Sequence, residues 1–147
     1  MKKFFLLLMC MLMASMATAQ ELTKESKSLA KEEAKKFEKN DWKGAGADAD
    51  LKEAFERAYV YIQDTLNYVV TEGAAKEIDA KTAIATATFI AQKKALEKAK
   101  EVLKGRGWKL SLAQDPINII TLYRDGKRRD DGSDGYVRVA LKLIKKE

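Results

Sequence analysis

Residues 79–107, DAKTAIATATFIAQKKALEKAKEVLKGRG, decide the fold. Ala80, Ala83, Ile84, Ala87, Ala91, Ala95, Ala99 and Val102 recur at helical spacing, and Ile90 and Leu103 widen the stripe. Asp79 is placed to cap the first turn, and Gly105 and Gly107 stop the last, so the spacing predicts a helix over 79–104. A buried stripe made of methyl groups lets a helix lie close on a flat surface. The segments on either side supply that surface. Tyr68-Val69-Val70-Thr71 is β-branched and aromatic and reads as a strand closed by Glu72-Gly73. Further strands are expected over 108–112, 117–123 and 136–144, with a turn at Asp115-Pro116 and a polar loop over 125–135.

Upstream, Leu51, Ala54, Phe55, Ala58, Tyr59, Ile62 and Leu66 lie at i, i+3, i+4, i+7, i+8, i+11 and i+15, which predicts a helix over 49–65 capped by Asp48 or Asp50. A first helix over 21–39 has the thin stripe Leu22, Leu29, Ala30, Ala34 and Phe37, and Gly44-Ala45-Gly46 after it reads as a loose linker. Phe37 precedes Trp42 by five residues, as Leu103 precedes Trp108. Both read as one way of ending a helix, with Asn40 and Gly105 left-handed and the aromatic folded back on the last turn. The expected class is α+β, with amphipathic helices on one face of a small, mainly antiparallel sheet of three or four strands.

The first nineteen residues read differently. Lys2 and Lys3, an apolar run over 4–13 and Ala17-Thr18-Ala19 form the pattern of a secretory signal peptide, so a mature chain starting at Gln20 is expected, with no transmembrane segment in it. The organisation that follows is a signal peptide over 1–19, a basic helix and linker over 20–47, and one α+β domain over 48–147. The apolar run holds the one cysteine, Cys10, and Met9 before it is too large for the usual lipoprotein signal. Loss of Lys2 and Lys3 lowers the formal charge from +6 to +4. That suits contact with anionic envelope surfaces and falls short of a nucleic-acid footprint, which needs clustered, uncompensated Lys and Arg.

With no histidine in the chain and Cys10 in the leader, zinc, thiol and Ser-His-Asp chemistry have no foundation in the exported product. The acids at 125, 130, 131 and 134 lack the spacing and the final Glu of an EF-hand and stand beside Lys127, Arg128 and Arg129. They read as a solvated hairpin loop. No cofactor, metal or catalytic residue is assigned. The expected partner surface comprises Trp42, Tyr61, Trp108, Lys127, Arg128 and Arg129, since amphipathic rings and arginines are enriched where proteins meet partners.

The stretch from Tyr68 to Gly73, then Ile78-Asp79-Ala80 and the alanine-rich helix to Leu103, resembles a bacterial envelope family in which a strand and glycine precede an alanine-repeated helix. That family includes small outer-membrane lipoproteins and the N-terminal domain of a flagellar assembly protein. Residues 119–124 and 135–141 look like its closing hairpin. Secreted proteins of Bacteroidota-type bacteria are similar also in a basic first helix ending in Trp42-Lys43. The resemblance implies an α+β envelope module of structural or binding type without catalytic residues; with the signal peptide, the expectation is an exported, non-enzymatic module, periplasmic, secreted or outer-membrane-associated, that is structural or binds an envelope protein or polymer. The alternative is a small exported hydrolase acting on envelope polymers through paired carboxylates.

Overall fold

The computed structural model describes residues 21–108 and 115–144, without the side chain of Arg129. The expected leader with Cys10, and the expected strand beyond Trp108, lie outside the described residues. Helix α1 (Lys24–Lys39) starts where Thr23 Oγ1 accepts the Ser26 N–H at 3.0 Å. Strand β1 (Lys43–Gly44) and helix α2 (Leu51–Ile62) follow, the latter capped by Asp50, whose carboxylate accepts the Glu53 N–H at 3.3 Å. Then come strand β2 (Tyr68–Glu77), the long helix α3 (Ala80–Arg106), strand β3 (Ile117–Asp125) and strand β4 (Ser133–Lys142). The four strands form one antiparallel sheet in the order β1-β3-β4-β2. The α+β class is therefore as expected.

Strand alternation divides the helices between two faces rather than one. Tyr136 and Ala140 of β4, with Ile120 and Leu122 of β3, meet α1 and α2 through Ala30, Ala34, Ala54, Phe55 and Ala58. Val137, Val139 and Leu141 point the other way and meet α3 through Ala87, Ala91, Ala95, Ala99 and Leu103. The α3 alanines follow an i±4 ridge, which runs oblique to the helix axis and so tracks the twist of the sheet. At two points the approach leaves no room for a side chain. A Cβ on Gly73 would lie 2.1 Å from Ala87 O, and one on Gly135 would lie 2.5 Å from Ala83 O. Gly73 therefore does not end its strand, as its sequence context suggests. It is the point where α3 rests on β2, and the strand runs on to Glu77.

Other boundaries move for equally local reasons. Leu29 and Leu66 fit helical spacing but are exposed; Ser26 takes the buried place in α1, and α2 has ended before Leu66. The stretch expected as a loose linker starts in an edge strand and ends in a 3₁₀ turn. Lys43 and Gly44 pair with Tyr123 and Leu122, and Ala45 N–H continues the ladder to Thr121 O at 3.0 Å. Asp48, in a short 3₁₀ turn, then accepts the Thr121 N–H at 2.9 Å. A bulge between Asn118 and Ile120 lets Ile119 and Ile120, adjacent in sequence, enter the same core. The polar loop is shorter than 125–135, because Arg124–Asp134 (3.0 Å) and Ser133–Asp125 (2.8 Å) contacts extend the hairpin to its 3₁₀ turn at Arg129–Asp131.

Helices α1 and α3 do end alike, one residue later than the sequence suggests in α1 and two later in α3. Asp41 (φ 66°) and Gly107 (φ 70°) are the left-handed residues, not Asn40 and Gly105. Trp42 N–H reaches back to Phe37 O at 3.0 Å and Trp108 N–H to Leu103 O at 2.8 Å, which is the Schellman pattern.

Candidate functional site

Charged side chains seldom occupy the core-facing positions of a strand, yet Arg138 sits between Tyr136 and Ala140 on the inward face of β4, with 13% of its side chain exposed. Its Nη2 donates to Glu33 on α1, and its Nε donates to the Tyr136 hydroxyl at 2.6 Å and lies 3.6 Å from Glu72 on β2. Tyr136 in turn donates to Glu72, and Tyr59 of α2 donates to Glu33. The guanidinium carbon stands 5.6 Å from the centre of the Phe55 ring. One cation thus ties α1, α2, β2 and β4 together. Among the described residues no buried side-chain polar atom lacks a partner.

Burial opposes the charge of Arg138, but the hydrogen bonds and charges of Glu33 and Tyr136 outweigh it and hold the guanidinium above its ordinary range. Burial also raises both tyrosines. Tyr59, which additionally donates to Glu33, is pushed up to about 12, and Tyr136 is raised as well. A tyrosine whose pKa is higher folded than unfolded contributes stability that is complete below its unfolded pKa and lost as pH rises through its folded one. The chain should therefore keep its melting temperature up to about pH 10 and lose it steeply between about 10 and 12. Phenolate absorbance followed against pH should show Tyr59 and Tyr136 ionising together with unfolding. Ionisation of every tyrosine near pH 10 in a folded chain would contradict this arrangement.

Glu33 and Glu72 are two acids that converge on Arg138, and a pair of carboxylates is what a carboxylate hydrolase uses. Here both are engaged with Arg138 and with a tyrosine hydroxyl. Two shallow clefts flank the network. One, of about 520 Å³, opens beside Tyr68 and Lys98; the other, of about 560 Å³, opens beside Lys36, Asn40 and Trp42.

Trp42 divides the second of these from a larger cleft of about 720 Å³ beside the β1 edge. Ala34, Leu51, Trp42 and Tyr123 supply its apolar and aromatic lining, while Lys31, Lys35, Lys43 and Lys52 stand around it with Glu38, Asp41 and Asp50. The Schellman turn aims Trp42 there. Its ring is set edge-on against Phe37 (5.9 Å) and Tyr136 (6.0 Å), and the Arg124 guanidinium lies 4.7 Å from its centre. The half-buried ring is fixed before anything binds.

Of the six residues expected as a partner surface, the five with described side chains are not brought together in one place. Trp42 and the exposed Lys127 and Arg128 lie toward the hairpin end of β3, where Arg124 reaches Trp42. Tyr61 is half-buried at the other end, edge-on to Tyr68 at 5.0 Å and in a small cleft with Ile117. Trp108 belongs to the opposite face, packed on the α3 core with Arg106 5.3 Å from its ring. The Arg129 side chain lies outside the described residues. The sequence reading missed Arg138, Glu33, Glu72 and the lysines of the cleft. Arg138 alone carried a signal, as a charge at an inward position of an alternating strand.

No helix among the described residues is long and apolar enough to cross a membrane. No protein-family model, curated protein or solved structure matches this chain.

Proposed function

We propose that this chain is an exported, non-enzymatic module of the cell envelope that binds a protein or polymer partner through the cleft around Trp42. The observation that carries this reading is the cleft itself: an indole and Tyr123 against an apolar wall, with four lysines and three acids at the rim, beside an edge strand. Aromatic anchors with a charged rim are what a binding surface needs, and fixing the ring beforehand lowers the entropy lost on binding. Export rests on the leader over 1–19, and an outer-membrane-associated or periplasmic setting on the family resemblance. The engagement of Glu33 and Glu72 with Arg138 and the tyrosines supports binding over carboxylate hydrolysis.

Expressed with its leader in a Gram-negative host, the chain should be recovered from the periplasm with an intact mass starting at Gln20. Crosslinking in envelopes should then capture a discrete partner. Lys35→Glu combined with Lys52→Glu should lower that capture about tenfold or more, because the two reversals turn the rim of the cleft from net positive to net negative without touching the core. Equal capture by the reversed variant would remove the cleft from the mechanism.

A further inference from the structure

Strand β2 is the terminal strand of the sheet, and none of the described residues pairs with its outer side. Its backbone direction follows from two contacts. Asn67 O accepts the Leu143 N–H at 2.6 Å, which turns the odd-numbered residues toward β4, and Lys98 Nζ reaches Val70 O at 3.4 Å from the other side. Even-numbered residues from Val70 to Lys76 therefore aim N–H and C=O outward. Ile78, in the bend just past the end of β2, is 84% exposed. Apart from the Lys98 contact at Val70, the outer edge of this ten-residue strand has no partner among the described residues and no proline, and so forms a template for another strand.

The outward positions 70, 72, 74 and 76, with the bend residue 78 that follows them, read Val, Glu, Ala, Lys, Ile. Reversed about Ala74, the series complements itself: Val70 falls opposite Ile78, Glu72 opposite Lys76, and Ala74 opposite Ala74. No neighbouring register does this. An axis at 72 sets Glu72 against Glu72, one at 76 sets Lys76 against Lys76, one at 73 sets Lys76 against Val70, and one at 75 sets Glu72 against Ile78. Cross-strand pairs of opposite charge and of β-branched residues favour a register, and like charges directly opposite disfavour it. Gly73, Ala74 and Ala75 leave the middle of the edge free of bulk.

We propose that a second copy of this chain docks on β2 by antiparallel pairing about Ala74, so that a two-fold axis joins two four-stranded sheets into one of eight. The contact is isologous, as a two-fold axis requires, and it covers the exposed Ile78 side chains against Val70 of the other copy. It lies at the opposite edge of the sheet from the Trp42 cleft and stands or falls independently of that reading.

Sedimentation equilibrium on the purified secreted chain should give twice the chain mass. Ala74→Pro removes an outward N–H at an edge position where proline is tolerated, and should give a monomer with unchanged circular dichroism. Lys76→Glu, which faces Glu72 of the other copy, should weaken the dimer at least about tenfold and keeps the test open if the proline variant misfolds. In the secreted chain starting at Gln20, which has no other cysteine, Ala74→Cys should oxidise to a disulfide-linked dimer. Lys76→Cys should not, since its two copies would stand about 13 Å apart, beyond disulfide reach. A wild-type monomer at millimolar concentration would overturn the proposal, and so would a dimer indifferent to both Lys76→Glu and Ala74→Pro.

Discussion

Gly73→Val should leave the chain largely unfolded, with a loss of at least about 3 kcal/mol in urea melts. Added strand propensity argues the other way, since glycine inside a strand is less favourable than a substituted residue by about 0.5–1 kcal/mol. The contact decides the sign. A Cβ at this position meets Ala87 O at 2.1 Å and Ala91 N at 2.7 Å, both backbone atoms of α3, so no side-chain rotation relieves it. The helix would have to lift off the sheet, and the Ala91, Ala95 and Ala99 contacts further along the same ridge would open with it. Gly105→Ala is the control. It lies in α3 with nothing within 4 Å of the added carbon, and should raise stability by up to about 1 kcal/mol through helix propensity alone. A Gly73→Val chain that melts like the parent would mean that α3 does not rest on β2 at this point.

Gly73 also marks what the sequence could and could not tell. Periodicity identified α2 and α3, because their buried faces repeat over several turns and Asp50 and Asp79 cap them where side-chain oxygens were expected. It also conveyed the closing hairpin. It could not tell a glycine that ends a strand from one that makes way for a helix, since that depends on residues 87 and 91. Nor could it separate helices on one face from helices on two. The alternation of Tyr136, Arg138 and Ala140 with Val137, Val139 and Leu141 leaves both faces of β4 apolar enough to cover. Gly44-Ala45-Gly46 lacked any strand signature because its pairing comes from Thr121, Leu122 and Tyr123, far along the chain. The candidate site was the least legible part. Trp42 was singled out, but the lysines around it come from α1, β1 and α2 and meet only in the folded chain.

The Arg138 network should prove essential in its parts and replaceable as a whole. Arg138→Ala should cost about 3–5 kcal/mol, because Glu33 would be left in a half-buried place without its cation and with only Tyr59 as donor. Arg138→Lys should recover little of this. An ammonium cannot reach Glu33 and Tyr136 at once from one planar fork, nor stack above the Phe55 ring as the guanidinium does. If the loss comes from the stranded acid rather than from the missing cation, neutralising that acid should undo most of it. Arg138→Met with Glu33→Gln fills the same volume and leaves an amide that can still accept from Tyr59, so the double variant should melt within about 1–2 kcal/mol of the parent. Its steep alkaline loss should remain, because Tyr136 stays buried. Thermal melts of the single and double variants across pH separate the two causes. A double variant as unstable as Arg138→Ala would mean that the cation itself holds α1 to the sheet, and that burying it contributes net stability here instead of merely satisfying its partners.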